Sequence, residues 1–118
     1  MEINSQLITV YIPTYNRVKF LKRAVNSVLS QSHQNFELII VDDCSLDETI
    51  KYLEKLSSND KRILFFQNAK NSGACVSRNK AISEAKGKYI TGLDDDDEFT
   101  PDRLEFFLKN FKENYSFV

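Results

Sequence analysis

A chain of 118 residues with 16 Lys+Arg against 17 Asp+Glu has a formal net charge of −1 and a pI near 5.8, so no nucleic-acid partner is expected. Its 42% apolar and 28% charged residues are the mix of an ordinary soluble domain with one core, and no apolar run approaches the roughly 20 residues of a membrane span. Cys44 and Cys75 are too few for a disulfide framework and match no zinc spacing, which predicts free thiols in the cytoplasm.

Residues 1–6 lack the basic and apolar regions of a signal peptide. Residues 7–12 are a continuous β-prone run ended by Pro13, the pattern of a strand buried on both faces. Pro13-Thr14-Tyr15-Asn16-Arg17 is the following loop. Phe20, Leu21, Ala24, Val25, Val28 and Leu29 recur at helical spacing and predict an amphipathic helix over 19–30. Lone His33 falls in a polar turn and is expected to be exposed and not catalytic. A second buried strand is predicted over 36–41, ended by Asp42-Asp43-Cys44-Ser45.

Ser45 and Glu48 have capping-box spacing before a helix with Ile50, Leu53 and Leu56 on its inner face. A third strand over 63–66 ends in the polar loop 68–73. The third helix, over about 75–85, has Val76, Ile82 and Ala85 as its inward residues, with Gly87 placed for a left-handed turn at its end. A fourth strand over 89–93 stops at five consecutive acids, Asp94 to Glu98. Thr100 as N-cap and Pro101 at the first helical position open the last helix, whose apolar face is Leu104, Phe107, Leu108 and Phe111. Residues 115–118 read as the start of another strand, so a truncated chain is expected, with self-association through the edge or apolar surface this leaves open.

The order βαβαβαβα, at the spacing of crossover units, predicts an α/β fold: a mainly parallel sheet between two helical layers, three-layer α/β/α, in one domain over 1–118. Every strand then ends at the same edge, the carboxyl edge where open α/β sheets bind ligands. If the fourth strand returns beside the first, the crevice lies between Thr14-Tyr15-Asn16 and Asp94 to Asp97. A charge run is usually a solvated turn. Four adjacent carboxylates beyond a buried strand call for a counter-charge, however, and a divalent cation is the simplest one. There is no Gly-rich loop after the first strand and no Walker lysine, and only three glycines in all. A ligand phosphate would therefore be held by a metal on the acids, helped by a cation such as Arg78. Oxygen-only ligands select Mg²⁺ or Mn²⁺, and the residues suggest a nucleoside diphosphate.

The set Ile12-Pro13-Thr14-Tyr15-Asn16-Arg17, Val41-Asp42-Asp43-Cys44-Ser45-Leu46-Asp47, Asn71-Ser72-Gly73 through Arg78-Asn79, and Gly87-Lys88-Tyr89-Ile90 through Leu93-Asp94-Asp95-Asp96-Asp97 closely resembles glycosyltransferase family 2 on a GT-A fold. The resemblance covers the whole chain, in order. It implies the Rossmann-like, nucleotide-binding half of such an enzyme, transferring sugar from a nucleotide-diphospho-sugar, with UDP the favoured carrier, to a hydroxyl of a carbohydrate or lipid-linked glycan. It also implies that Pro13, Thr14 and Tyr15 hold the nucleotide, that Asp43 accepts from the base, and that Arg78 approaches the diphosphate or sugar. Asp94-x-Asp96 is the Asp-x-Asp element: Asp96 binds metal, Asp94 ribose or metal, Asp95 lies near the donor sugar, and Asp97 stands behind them. Asn71 and Asn79 brace loops, and Asp42 orients its turn. Cys44 stands where the family commonly has glycine.

The base that deprotonates the acceptor in inverting members is expected beyond Val118, so the 118-residue chain binds donor but transfers sugar poorly. The full-length protein is expected in the cytoplasm, at the inner face of the membrane. Two rivals share the sheet and the acids, a nucleotidyltransferase and a phospho-receiver, but the first strand carries neither a basic Gly-rich loop nor an acid pair. A calcium loop using Asp94, Asp96, Glu98 and Glu105 has Phe99 where its glycine belongs.

Overall fold

The structure, a computed structural model, describes residues 6–114, with side chains described through residue 110. Residues 1–5, the side chain of Phe111 and the strand expected at 115–118 lie outside the described residues.

Strands β1 (Ile8–Thr14), β2 (Phe36–Asp42), β3 (Ile63–Gln67) and β4 (Tyr89–Gly92) alternate with helices α1 (Val18–Leu29), α2 (Thr49–Asn59), α3 (Ala74–Glu84) and α4 (Arg103–Asn114). The sheet is parallel throughout, in the order β3-β2-β1-β4. The direction of winding reverses between β1 and β4, and that gap is where the fold opens a crevice.

β1 and β2 are rich in β-branched residues and buried on both faces. Ile8, Val10, Ile12, Phe36, Leu38 and Ile40 form one face, with Leu21, Ala24, Val25 and Val28 of α1, Leu53 of α2, and Leu104 and Leu108 of α4 packed on it. Each Val, Leu, Ile or Phe side chain among them contributes roughly 1.5–3 kcal/mol on burial. Ile39 and Val41 face the other way, onto Ala81 of α3. Helices therefore cover both faces, in three layers.

Several local expectations are corrected. Pro13 lies inside β1 instead of ending it. Alternate residues of a parallel strand bond to alternate neighbours, and Tyr11 O accepts from Leu93 N on the β4 side at 3.0 Å. Pro13, two residues on, faces the same side past β4's last paired residue, Gly92, where no N–H is needed. Phe20 points outward, with the Arg23 guanidinium 5.1 Å from its ring centroid.

Helix α2 starts at Thr49 with no Ser45–Glu48 box. Asp47 instead accepts from Thr49 N at 3.0 Å and from Val18 N at 3.4 Å. Burial pushes its carboxyl up, but these bonds and that from the Thr49 hydroxyl hold it below its ordinary value. Helix α4 starts at Arg103, after a turn through Thr100, Pro101 and Asp102. Buried Gln31 stitches that end down, donating to Thr100 O (2.6 Å) and accepting from Leu104 N (2.9 Å).

Helix α3 turns Ser77 and Ala81 to the sheet, while Val76 and Ile82 remain 48% and 43% exposed. Small residues allow the helix to lie close over Ile39 and Val41. Ala85 packs inward as expected. Gly87 has no left-handed turn; its role is close approach to β1. His33 is buried rather than exposed, its Nε2 lying 2.9 Å from Gln6 O and 3.1 Å from Asn35 O.

Candidate functional site

The four loops after the strands meet at the carboxyl edge and enclose a crevice of about 360 Å³, within the range of small-molecule sites. Pro13, Thr14, Tyr15 and Arg17 of the first loop line it, with Asp43, Ala74 and Ser77 from the middle and Asp94, Asp95 and Asp96 opposite. All but one of the expected site residues therefore come together there. Arg78 does not; it sits exposed on α3, next to Ser77.

The first loop is shaped by Asn16, which has φ 52°, a left-handed conformation that asparagine tolerates. Its N–H donates to Ser45 Oγ (2.8 Å) and its Oδ1 accepts from Leu46 N (2.7 Å), so the loops after β1 and β2 are stitched together. Asp42, wholly buried, accepts from Ser45 N (2.8 Å), from the Ser45 hydroxyl and from Gln67 Nε2 (3.3 Å). It orients its turn. Cys44 then adopts φ 72°, a conformation that costs a non-glycine residue about 1–2 kcal/mol, and its Sγ donates to Ala69 O at 3.7 Å. A glycine there would remove that strain.

Asp43 is the hub of the third loop. Its Oδ1 accepts from Asn68 Nδ2 (2.9 Å) and Ser72 N (2.7 Å), and its Oδ2 from Gly73 N (2.8 Å). Burial pushes its carboxyl up, but the three bonds outweigh burial and hold it below 3.8. A carboxylate offers about four acceptor positions, so these three bonds leave one on a residue that lines the crevice. Asn71 and Asn79 are exposed; the loop-bracing asparagines are Asn16 and Asn68, the latter also donating to Ser77 Oγ at 3.0 Å.

The acids separate by position. A turn closed by Asp97 N donating to Asp94 O (3.0 Å) directs Asp95 inward and leaves its neighbours outside. Asp95 is buried and accepts from Thr14 Oγ1 at 2.9 Å. Burial raises its carboxyl above the ordinary range, and the charge of Asp96 adds to this against the bonds from Thr14 and Tyr15 N and the charge of Arg17. Asp94, Asp96 and Asp97 are exposed, each offering one oxygen within 4.8 Å of the others. Three clustered carboxylates with no soft ligand fit a hard divalent ion, with Asp97 beside the two expected ligands. Glu105, the last ligand of the calcium-loop alternative, is turned away and accepts from Ser32 Oγ at 2.7 Å.

Arg17 is the residue the sequence reading left without a role. Its Nη1 lies 3.4 Å from Asp95 Oδ1 and 3.2 Å from Asp96 Oδ2. The available signal was a cation in the one loop that faces the acid run across the switch point.

A family model described as Glycosyl transferase family 2 matches residues 9–118. The chain belongs to glycosyl transferase family 2. WcaA of Escherichia coli (strain K12), a glycosyl transferase named for colanic acid biosynthesis, is 52% identical over 107 residues, covering 89% of this chain and 38% of WcaA. TuaG of Bacillus subtilis (strain 168), named for teichuronic acid biosynthesis, is 46% identical over 99 residues, covering 84% of this chain and 39% of TuaG. The chain thus spans about two-fifths of the length of these curated relatives. Among solved structures, Staphylococcus aureus TarS 1–349 in complex with UDP-GlcNAc superimposes with a TM-score of 0.82 at 32% identity, covering 90% of this chain and 31% of that one. The fold is that of GT-A glycosyltransferases. Family 2 membership sets aside the receiver and nucleotidyltransferase alternatives.

Proposed function

We propose that this chain is the donor-binding portion of an inverting, divalent-metal-dependent glycosyltransferase that moves a sugar from a UDP-sugar to a hydroxyl of a carbohydrate or lipid-linked glycan. One observation carries this reading. In a family 2 chain, the crevice at the β1–β4 switch point joins a Pro13-Thr14-Tyr15 loop and Asp43 to an Asp-x-Asp cluster. The UDP-GlcNAc complex of TarS supports a nucleotide-sugar donor, and the names of WcaA and TuaG support polysaccharide biosynthesis.

In this reading the half-exposed Tyr15 ring offers an apolar face to the base, and Asp43 accepts from it. Arg78, beside crevice-lining Ser77, reaches for the diphosphate, and Asp95 holds the first loop against the donor sugar. Asp96 and Asp94 would hold Mn²⁺ or Mg²⁺, with Asp97 beside them. When bound, such an ion neutralises charge that develops on the leaving diphosphate. The chain spans about two-fifths of the length of WcaA and TuaG, and the base that deprotonates the acceptor is proposed to lie in the remaining part. The same reading places its action in the cytoplasm, at the inner membrane face, where a nucleotide-sugar and a lipid-linked acceptor would meet. Self-association of the 118-residue chain belongs to the same proposal, and sedimentation at rising concentration would detect it.

Calorimetric titration of UDP, GDP and dTDP, each with and without Mn²⁺, tests the reading. UDP with Mn²⁺ should bind at least tenfold tighter than UDP alone, and Asp96→Ala should abolish that gain. Binding indifferent to both metal and mutation would remove the proposal.

A further inference from the structure

We infer that Arg17 is the resident counter-ion of the acid cluster: it and a divalent ion are alternative partners of Asp96, and entry of the ion frees Arg17 for the anionic ligand. This rests on the reading of the crevice as a metal–diphosphate site.

The geometry points to it in three ways. The guanidinium lies over the carboxylates from the opposite wall, at 3.2 Å from the Asp96 oxygen and 3.4 Å from the Asp95 oxygen. Asp96 also belongs to the oxygen cluster suited to a hard cation, so one carboxylate serves both positive groups. Finally, the backbone of Arg17 is fixed while its head is not. Asn16 is held left-handed by Ser45 and Leu46, and Arg17 O accepts from Leu21 N (2.8 Å) in the first turn of α1. The Arg17 side chain is 51% exposed, however, which leaves its head room to move.

Two cations sharing one carboxylate repel each other, so each weakens the other's hold. Once released from Asp96, a guanidinium that already lines the crevice faces the anion drawn in by the metal, and its planar fork suits phosphate oxygens. Arg17 therefore makes metal and nucleotide binding cooperative: the metal displaces it, and the diphosphate rewards the displacement.

The test is calorimetry on the 118-residue chain and its Arg17→Gln, Arg17→Lys and Asp96→Ala variants, using Mn²⁺ alone, UDP alone and UDP with Mn²⁺. Arg17→Gln should bind Mn²⁺ alone about three- to fivefold tighter, as expected for loss of one exposed ion-pair competitor. The same variant should bind UDP with Mn²⁺ about tenfold more weakly. Arg17→Lys, which keeps the charge but loses the fork, should leave Mn²⁺ affinity near wild type and still weaken the ternary complex. A general loosening of the loop would weaken both, so the opposite signs separate this role from a structural one. Unchanged or weaker Mn²⁺ binding in Arg17→Gln overturns the inference while leaving the metal site standing, provided wild type binds Mn²⁺ and Asp96→Ala does not. Failure of wild type and Arg17→Gln alike to bind Mn²⁺ overturns both.

Discussion

Asp43→Ala should lower folding stability by about 3 kcal/mol and release the loop between β3 and α3. The carboxylate accepts three hydrogen bonds, two of them from the backbone of Ser72 and Gly73 and one from Asn68. Bonds to a charged acceptor are worth roughly 1.5–3 kcal/mol each, and donors left without a partner add a desolvation cost. Partial rescue by water lowers the sum to the stated figure. Chemical denaturation of wild type and variant reads it directly; a difference below about 0.5 kcal/mol would show that the loop stands without Asp43. The same substitution should weaken UDP binding, since it removes the acceptor proposed for the base and frees the Ser72–Gly73 loop beside the crevice.

A pH signature goes with it. The folded carboxyl of Asp43 is held below its ordinary 3.8, so its contribution is present in full above that value and is lost as pH falls through the lowered folded value. Asp43→Ala should therefore flatten the acid limb of the stability curve. Asp95 acts with the opposite sign. Its carboxyl is raised, so it costs stability at neutral pH, and that cost is relieved as pH falls through the raised value.

Gly87→Ala should also cost about 3 kcal/mol, although the residue lies far from the site. A Cβ there would stand 2.5 Å from Thr9 N and 2.6 Å from Thr9 Oγ1, closer than packed atoms approach. Thr9 belongs to central strand β1 and is wholly buried, so the backbone atom cannot retreat. Its hydroxyl accepts from Gly87 N at 2.9 Å and donates to buried Glu37, which also accepts from Lys86 N. Forcing the strands apart breaks that chain of bonds in addition to the steric cost of overpacking. Gly73→Ala is the contrasting case. No atom lies within 4 Å of its added Cβ, and only its backbone resists, since φ 96° with ψ 164° is almost confined to glycine and costs another residue about 1–3 kcal/mol. A loss below about 1 kcal/mol in Gly87→Ala would contradict the steric account.

The strands and their order were readable because β1 and β2 are continuous β-prone runs, and because crossover spacing permits few topologies. The acids were readable because five in a row at a strand end are rare. What escaped the reading has a common cause. Sequence periodicity weighs large apolar residues, so Val76 and Ile82 outranked Ser77 and Ala81, although a helix lying close over a sheet needs small ones. Capping patterns likewise favoured Ser45 and Thr100, when Asp47 and the distant Gln31 side chain do that work. Gln31 and Leu104 are 73 residues apart, and no local pattern links them. Arg17 was missed for the same reason, since its meaning lies in acids 78 and 79 residues away. Cys44 was legible only as an odd residue where glycine is usual; its φ of 72° gives that oddity a physical cost.

The central claim is that the donor and its metal occupy the crevice between β1 and β4. The most direct test is backbone amide NMR of the chain with UDP, comparing paramagnetic Mn²⁺ with diamagnetic Mg²⁺. Mn²⁺ should broaden most strongly the amides of residues 14–17, Asp43, residues 72–74 and residues 94–97, with the effect falling off steeply toward the opposite edge of the sheet. Broadening centred instead on the groove between α1 and α2, at Lys22, Lys51 and Tyr52, with the crevice residues untouched, would contradict the account.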